Sequence, residues 1–227
     1  MGGRVDDATV DVSHGNLHTG PYGWTVRYRM DMTQRLSAED WADAALDALG
    51  RGGLPAIAVE PIAARLGTTK GSFYWHFRNR DALIEAALHR WEERGTSQVI
   101  EALKAEEGPE AKLRKLFTTV IAFGLSHRIE LSLLGSRDHP AVGPVLQRVA
   151  ERRVTYVREL FEEVGFTPEE AHHRATLGVS IYLGHTQLAH TARAALPENV
   201  DALITSAIDA LLTAPTPAPP TPPTSPT

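Results

Sequence analysis

The chain has 227 residues, 42% hydrophobic and 22% charged, with a net charge of −5, which suits one large or two small domains and argues against a protein that is basic all over while leaving room for a local basic patch. It has no cysteine, which excludes disulfide frameworks, cysteine-ligated zinc, thiol catalysis and cysteine redox sensing. No run of about 18 apolar residues is long enough to span a membrane, and the N-terminus lacks a basic stretch followed by an apolar core, so the expectation is a cytoplasmic protein with no membrane partner.

Residues 1–34 show no sustained periodicity and read as a disordered arm. Methionines occur only at positions 1, 30 and 32, so translation could begin at Met30 or Met32; a leader without meaning and a functional arm both stay open. From residue 35 the pattern is helical almost throughout. Trp41, Ala45, Ala48 and Leu49 recur at helical spacing, and Gly52-Gly53 ends that helix. Val59, Ile62, Ala63 and Leu66 mark a short second helix, which tolerates Pro61 because its first turn has no internal donors to lose. Gly67 closes it, and Thr69 is placed to cap a third helix from about Lys70. Asn79 caps a fourth, with Leu83, Ile84, Ala87, Leu88 and Trp91 as its inward stripe.

Pro109 opens the next helix, with Leu113, Leu116, Phe117, Val120 and Ile121 inside. A shorter one covers Ile129 to Ser136. Val145, Val149, Val154, Val157, Leu160 and Phe161 line another that stops at Gly165. Thr167-Pro168-Glu169-Glu170 is a capping box with proline at the first helical position, and opens a long helix to about Ala195. A last helix runs from about Glu198 to Thr213. Beyond it the segment from Pro215 holds seven of the fifteen prolines and reads as an extended, solvated tail over 214–227. No stretch alternates with period two for long enough to be a strand. The fold class is all-α, with about nine helices.

The densest signal is Thr68 to Leu83, TTKGSFYWHFRNRDAL. A helix buries one face, so the run Phe73-Tyr74-Trp75-His76-Phe77 must leave some rings outside. Phe73 and Phe77 are four apart and share the face that packs on Leu66 and Trp41. Lys70, Tyr74 and Trp75 then point elsewhere, with Ser72 and His76 on an adjoining strip. Two short helices joined by a Gly67-Thr68-Thr69 turn make a helix-turn-helix, whose second helix enters the major groove of DNA. From Pro61 to Arg80 there are four cations, Arg65, Lys70, Arg78 and Arg80, and no carboxylate, the local footprint that phosphate binding needs. Thr69 can offer its hydroxyl and the free N–H groups of the helix start to a phosphate, and Arg80 can reach one on the flank. His76 reads equally as a structural histidine or a DNA contact.

The stretch Gly67-Thr68-Thr69-Lys70-Gly71-Ser72-Phe73-Tyr74-Trp75-His76-Phe77, followed by Asn79-Arg80-Asp81-Ala82-Leu83, resembles the signature of the tetracycline-repressor-like (TetR) family of transcription regulators. The resemblance covers residues 36 to about 91. It implies phosphate-binding positions at Thr69 and Tyr74, base-edge positions at Lys70, Gly71 and Ser72, backbone or thymine-methyl contacts at Trp75 and His76, and a phosphate contact at Arg80. One departure stands out: where the family often starts its second helix with Ser or Thr and a basic residue shortly after, this chain has Ala58 and Glu60. A phosphate contact from that helix is therefore in doubt.

The remaining histidines do not make a metal site. His172 and His173 are adjacent and point about 100° apart on a helix, and His185 and His190 miss the i, i+4 spacing of a helical zinc site. No nucleophile has a plausible base. No enzyme activity, cofactor or metal is expected.

By the same resemblance, 35–95 is a DNA-binding head and 96–213 a helical effector-binding and dimerisation domain. Leu177, Ile181, Leu188 and Ala189, then Leu203, Ile204, Ala207, Ile208, Leu211 and Leu212, form wide apolar stripes suited to a two-fold interface, with Gly178, Ser180 and Gly184 allowing close approach. Effector candidates are polar or aromatic residues on otherwise apolar faces: Trp91, Phe117, Phe123, His127, Tyr156, Tyr182, His185 and Gln187, each of which reads as well as ordinary core packing. The reading is a homodimeric, ligand-released repressor of a near-palindromic double-stranded DNA operator. The alternative is a helical small-molecule-binding protein without sequence-specific DNA binding.

Overall fold

Ser37 starts the first helix because its side chain accepts from the Asp40 amide while Asp40 reaches back to the Ser37 amide, satisfying two donors that the helix itself leaves unpaired. The computed structural model describes residues 17–19, 25–27, 36–126 and 128–213. Helix α1 is Ala38–Gly52, and Gly53 at φ 69° turns the chain out of it. A 3₁₀ turn at Leu54–Ala56 leads to α2, Val59–Arg65. Helix α3 is Lys70–Phe73 and α4 is Arg80–Glu92, with the Asn79 side chain accepting from the Ala82 amide.

Helix α4 runs without a break through a π turn, Glu93–Ser97, into α5, Gln98–Leu103. Then come α6, Pro109–Ser126, and α7, Ile129–Leu134. Helix α8 is Val142–Val164, ended by Gly165 at φ 113°. The Thr167–Glu170 capping box opens α9, Pro168–Thr191, and Asn199 caps α10, Val200–Leu212. With α4 and α5 counted as one rod, the described residues hold nine helices, so the all-α expectation is met. Leu17–Thr19 and Thr25–Arg27, in a separate unit, pair as a short antiparallel ladder that the sequence pattern did not suggest.

The core of the head is built on Trp41 and Phe73, both fully buried, with ring centroids 5.4 Å apart in an edge-on contact. Leu49, Ile57, Ile62, Leu83, Ile84 and Leu88 close around them. The same apolar cluster continues into Ile129 and Leu133 of α7 and Val142 and Val149 of α8. The boundary expected at 95/96 therefore falls inside the π turn, and the packing runs on across it. Asp43 of α1 binds Arg90 and Arg94 of the α4 rod, and Arg90 also binds Glu93 at 2.7 Å. Helix α8 grips the π turn from the other side: Arg148 binds Glu92 at 2.6 Å, Arg152 donates to the Ser97 hydroxyl, and Arg153 donates to the Thr96 hydroxyl. Further on, α9 packs along α8 and α6, and α10 packs on α6.

Candidate nucleic-acid interface

Helix α2 ends at Arg65, the chain turns through Gly67 at φ 65°, and α3 begins at Lys70. Only one turn of α3 is regular. Beyond Phe73 the bonds tighten, with the Trp75 amide donating to the Ser72 carbonyl and the His76 amide to the Phe73 carbonyl. The Phe77 amide returns to the Phe73 carbonyl at 2.9 Å, which keeps Phe77 on the core side. Its ring stacks on Phe73 at 5.6 Å.

The rings divide as the spacing requires. Phe73 is fully buried and Phe77 packs partly buried against the same cluster, while Tyr74 is 58% exposed and Trp75 82% exposed. Ser72 and His76 are half-buried beside Trp75. Thr69 takes the N-cap position with extended backbone, yet its side chain makes no capping bond, so the hydroxyl stays free for an outside partner. Gly71 is exposed, and a Cβ built there would meet only the Thr69 hydroxyl, at 3.5 Å.

The cations behave differently from a simple basic patch. Arg65 donates to the Ala44 carbonyl and lies 3.9 Å from Asp47. Arg80 donates from Nε to the Ile57 carbonyl and from Nη2 to the Leu54 carbonyl, both at 2.6 Å. It ties the start of α4 to the 3₁₀ turn, so two of the donors expected to reach a phosphate hold the head together instead. Lys70 Nζ donates to Glu60 at 2.8 Å. That bond holds the Glu60 carboxyl below the usual carboxylate range and the Lys70 ammonium above its own. Among the described residues Arg78 is the one cation of the four without a hydrogen bond or ion pair.

Residues 42–87 match the family model for bacterial regulatory proteins of the tetR family. The helix-turn-helix head is thus that of the tetR family. The tetracycline repressor protein class A from transposon 1721 of Escherichia coli is 44% identical over 43 residues, which is 19% of this chain and 20% of the repressor; such matches span about a fifth of the curated relatives' length. The fold likeness reaches much further. A TetR transcriptional regulator from Legionella pneumophila superposes with a TM-score of 0.63 at 17% identity, over 79% of this chain and 98% of that one. The regulator FadR of Bacillus subtilis, crystallised with stearoyl-CoA, superposes with a TM-score of 0.59 at 12% identity, over 78% and 98%. The tetR helix-turn-helix and the all-helical architecture of these regulators are thus both present.

In the remainder of the chain the effector candidates scatter. Trp91, Phe117, Tyr182 and His185 are buried, Tyr156 is half-buried and Gln187 is exposed. The side chain of Phe123, and His127 altogether, lie outside the described residues. Tyr182 donates its hydroxyl to Glu130 at 2.9 Å, and Glu130 binds Arg153 at 2.8 Å. The Arg153 guanidinium lies 5.4 Å from the Trp91 ring and 5.5 Å from the Tyr182 ring. Burial lifts the Tyr182 phenol, helped by Glu130; burial opposes the Arg153 charge, but Glu130 and Tyr182 outweigh it. His185 and Thr186 are buried with no hydrogen-bond partner for their side chains, and burial holds the His185 imidazole below the usual histidine range.

Sequence reasoning missed Glu130, Arg153 and Thr96. A signal existed: Arg153 lies midway between Val149 and Val157, at i+4 and i+8 on the apolar stripe of α8. Gly178, expected to serve an interface between chains, is used within this one. An added Cβ would come within 2.5 Å of the Phe117 ring. Gly184 has open space beside it, and Ser180 is exposed.

Proposed function

We propose that this protein is a homodimeric transcriptional repressor that reads a near-palindromic operator with α3 and releases it when a small effector binds among the later helices. The observation that carries the reading is the helix-turn-helix face on which Tyr74, Trp75 and the free Thr69 hydroxyl project into solvent while Phe73 anchors the helix from behind. On that face Thr69 and Tyr74 hold phosphates. Lys70 and Ser72 meet base edges past Gly71, and Trp75 and His76 lie against the backbone or a thymine methyl. Arg80 is a weaker candidate, since two of its donors are committed to carbonyls.

Dimerisation is supported by α9 and α10. Ile204, Ile208 and Leu211 are buried within the chain, whereas Leu177 and Leu188 stay exposed and Ile181, Leu203, Ala207 and Leu212 half-exposed. Two such helix pairs would form a four-helix interface and place the two α3 helices about 34 Å apart, one turn of DNA. The effector reading is supported by the buried polar side chains of Trp91, Tyr182 and His185, and by the stearoyl-CoA named with the Bacillus subtilis neighbour. An effector favouring a conformer with wrongly spaced heads draws the population away from DNA. The alternative, a helical binding protein without sequence-specific DNA binding, is favoured by one observation: three of the four cations around α3 are already engaged.

The test is selection of bound duplexes from a random library with the full chain. An enriched near-palindrome supports the reading. No enrichment from a folded, dimeric protein overturns it.

A further inference from the structure

We propose that Glu60 limits how tightly the head holds DNA of arbitrary sequence, by keeping Lys70 out of phosphate contact unless a base edge draws the lysine away. The inference rests on the reading of the head as a duplex-binding domain and names the residue that sets its discrimination. Glu60 lies in the first turn of α2 and Lys70 begins α3, so their bond bridges the two helices across the solvent side of the motif. Both side chains are well exposed, at 71% and 54%, and among the described residues neither makes another hydrogen bond or ion pair. Lys70 opens the same short helix that ends at the exposed Tyr74, so the pair sits beside the proposed contact face.

The neighbouring cations make Lys70 decisive. Arg65 and Arg80 are bound to carbonyls of the head itself, and detaching either breaks hydrogen bonds that tie its segments together. Lys70 is held only by a surface ion pair, which is worth little in water and is easily exchanged. Among the described residues Arg78 has no partner to leave, so of the four Lys70 is the cation that another side chain can withhold.

The two kinds of DNA acceptor differ in what they meet there. A phosphate taken up by Lys70 while Glu60 still holds it would bring like charges to about 5 Å, a repulsion that lowers affinity roughly four- to fivefold in water and somewhat less once salt screens it. A guanine edge offers Lys70 neutral acceptors, O6 and N7, and Glu60 can then accept from the amino group of a cytosine. The pair tolerates a matching base edge and resists a phosphate. The acidic residue at a place where the family often has a basic one thus trades non-specific affinity for discrimination.

The experiment measures binding of the full chain to a labelled random-sequence duplex by fluorescence anisotropy across a range of salt, for the wild type, Glu60→Gln, Lys70→Met and the double variant. Glu60→Gln is expected to bind roughly three- to tenfold more tightly, with the salt dependence steeper by about 0.9 because one more phosphate is neutralised. In the Lys70→Met background that gain should vanish, which separates action through Lys70 from a general change of charge. On a duplex selected by the wild type, Glu60→Gln should gain less than on random DNA. Glu60→Ala, which removes the hydrogen bond as well as the charge, should change affinity in the same direction. Wild-type binding with no gain in Glu60→Gln, or a gain that persists without Lys70, overturns the proposal while leaving the DNA-binding reading intact. If folded wild type and Glu60→Gln both fail to bind any duplex at about 50 mM salt, both fall. A Glu60→Gln protein that binds where the wild type does not supports the proposal.

Discussion

Replacing Gly71 with alanine separates the fold's needs from those of the groove. Gly71 is the second residue of α3 and does not have the positive φ that would reserve the site for glycine. A Cβ there meets the Thr69 hydroxyl at 3.5 Å, an ordinary contact, and nothing else. Alanine should therefore stabilise the helix through the unfolded state, by about 0.5 kcal/mol at this first-turn position, within the usual range for glycine to alanine. For a chain of this size that raises Tm by roughly 1–2 °C. In the groove the same methyl is an intruder: forcing one into a closely packed contact costs about 1–3 kcal/mol, or roughly five- to 150-fold in Kd. Calorimetry and anisotropy on a selected duplex read the two effects on one protein. A lower Tm would refute the account of the backbone at Gly71. A higher Tm with unchanged operator affinity would refute close approach of DNA at this position.

Tyr74→Phe should weaken operator and random duplexes by the same factor in anisotropy titrations, since a phosphate contact carries no sequence information. Lys70→Ala should cost about 1–3 kcal/mol more on the operator than on random DNA, and equal losses would demote the lysine to a phosphate contact. Arg153→Met leaves Glu130 buried without its cation and should cost about 3–5 kcal/mol in chemical denaturation; adding Glu130→Leu should recover most of it, and a double variant as unstable as the single would refute the pairing. His185 titrates in the folded protein below its ordinary value of 6.5, so the unfolded chain takes up the proton first. Its contribution is complete above about pH 6.5 and is lost as pH falls through the lower folded value; His185→Leu should flatten that part of the stability curve, and an unchanged slope would refute it.

The head was legible because its signals are local. Capping residues, turn glycines and the i, i+4 pair Phe73–Phe77 each act within one turn of helix, and the structure places them as their spacing implies. Pairings between distant segments left no such trace. Nothing in the neighbourhood of Lys70 announces Glu60 ten residues upstream, and the carbonyls that occupy Arg80 belong to residues more than twenty positions away. The Glu130–Arg153–Tyr182 cluster draws on three helices, and each member alone looks like part of a solvated or apolar face. The extent of α3 was over-read for a related reason: the aromatic run suggests a longer helix, but only its first turn is regular.

The π turn at Glu93–Ser97 sets a phase. It fits an additional residue into a rod that is otherwise α-helical, so the stripe of Leu83, Leu88 and Trp91 and the stripe of Val99 and Leu103 are not in step with each other. Each residue of an α-helix advances the chain by about 100°. Deleting one residue here would shorten the rod by little but turn the head through more than a quarter of a revolution about its axis. In a two-fold assembly both heads would turn together, each by the same angle and in the same sense about its own rod. Length variation at this joint is thus a change of aim.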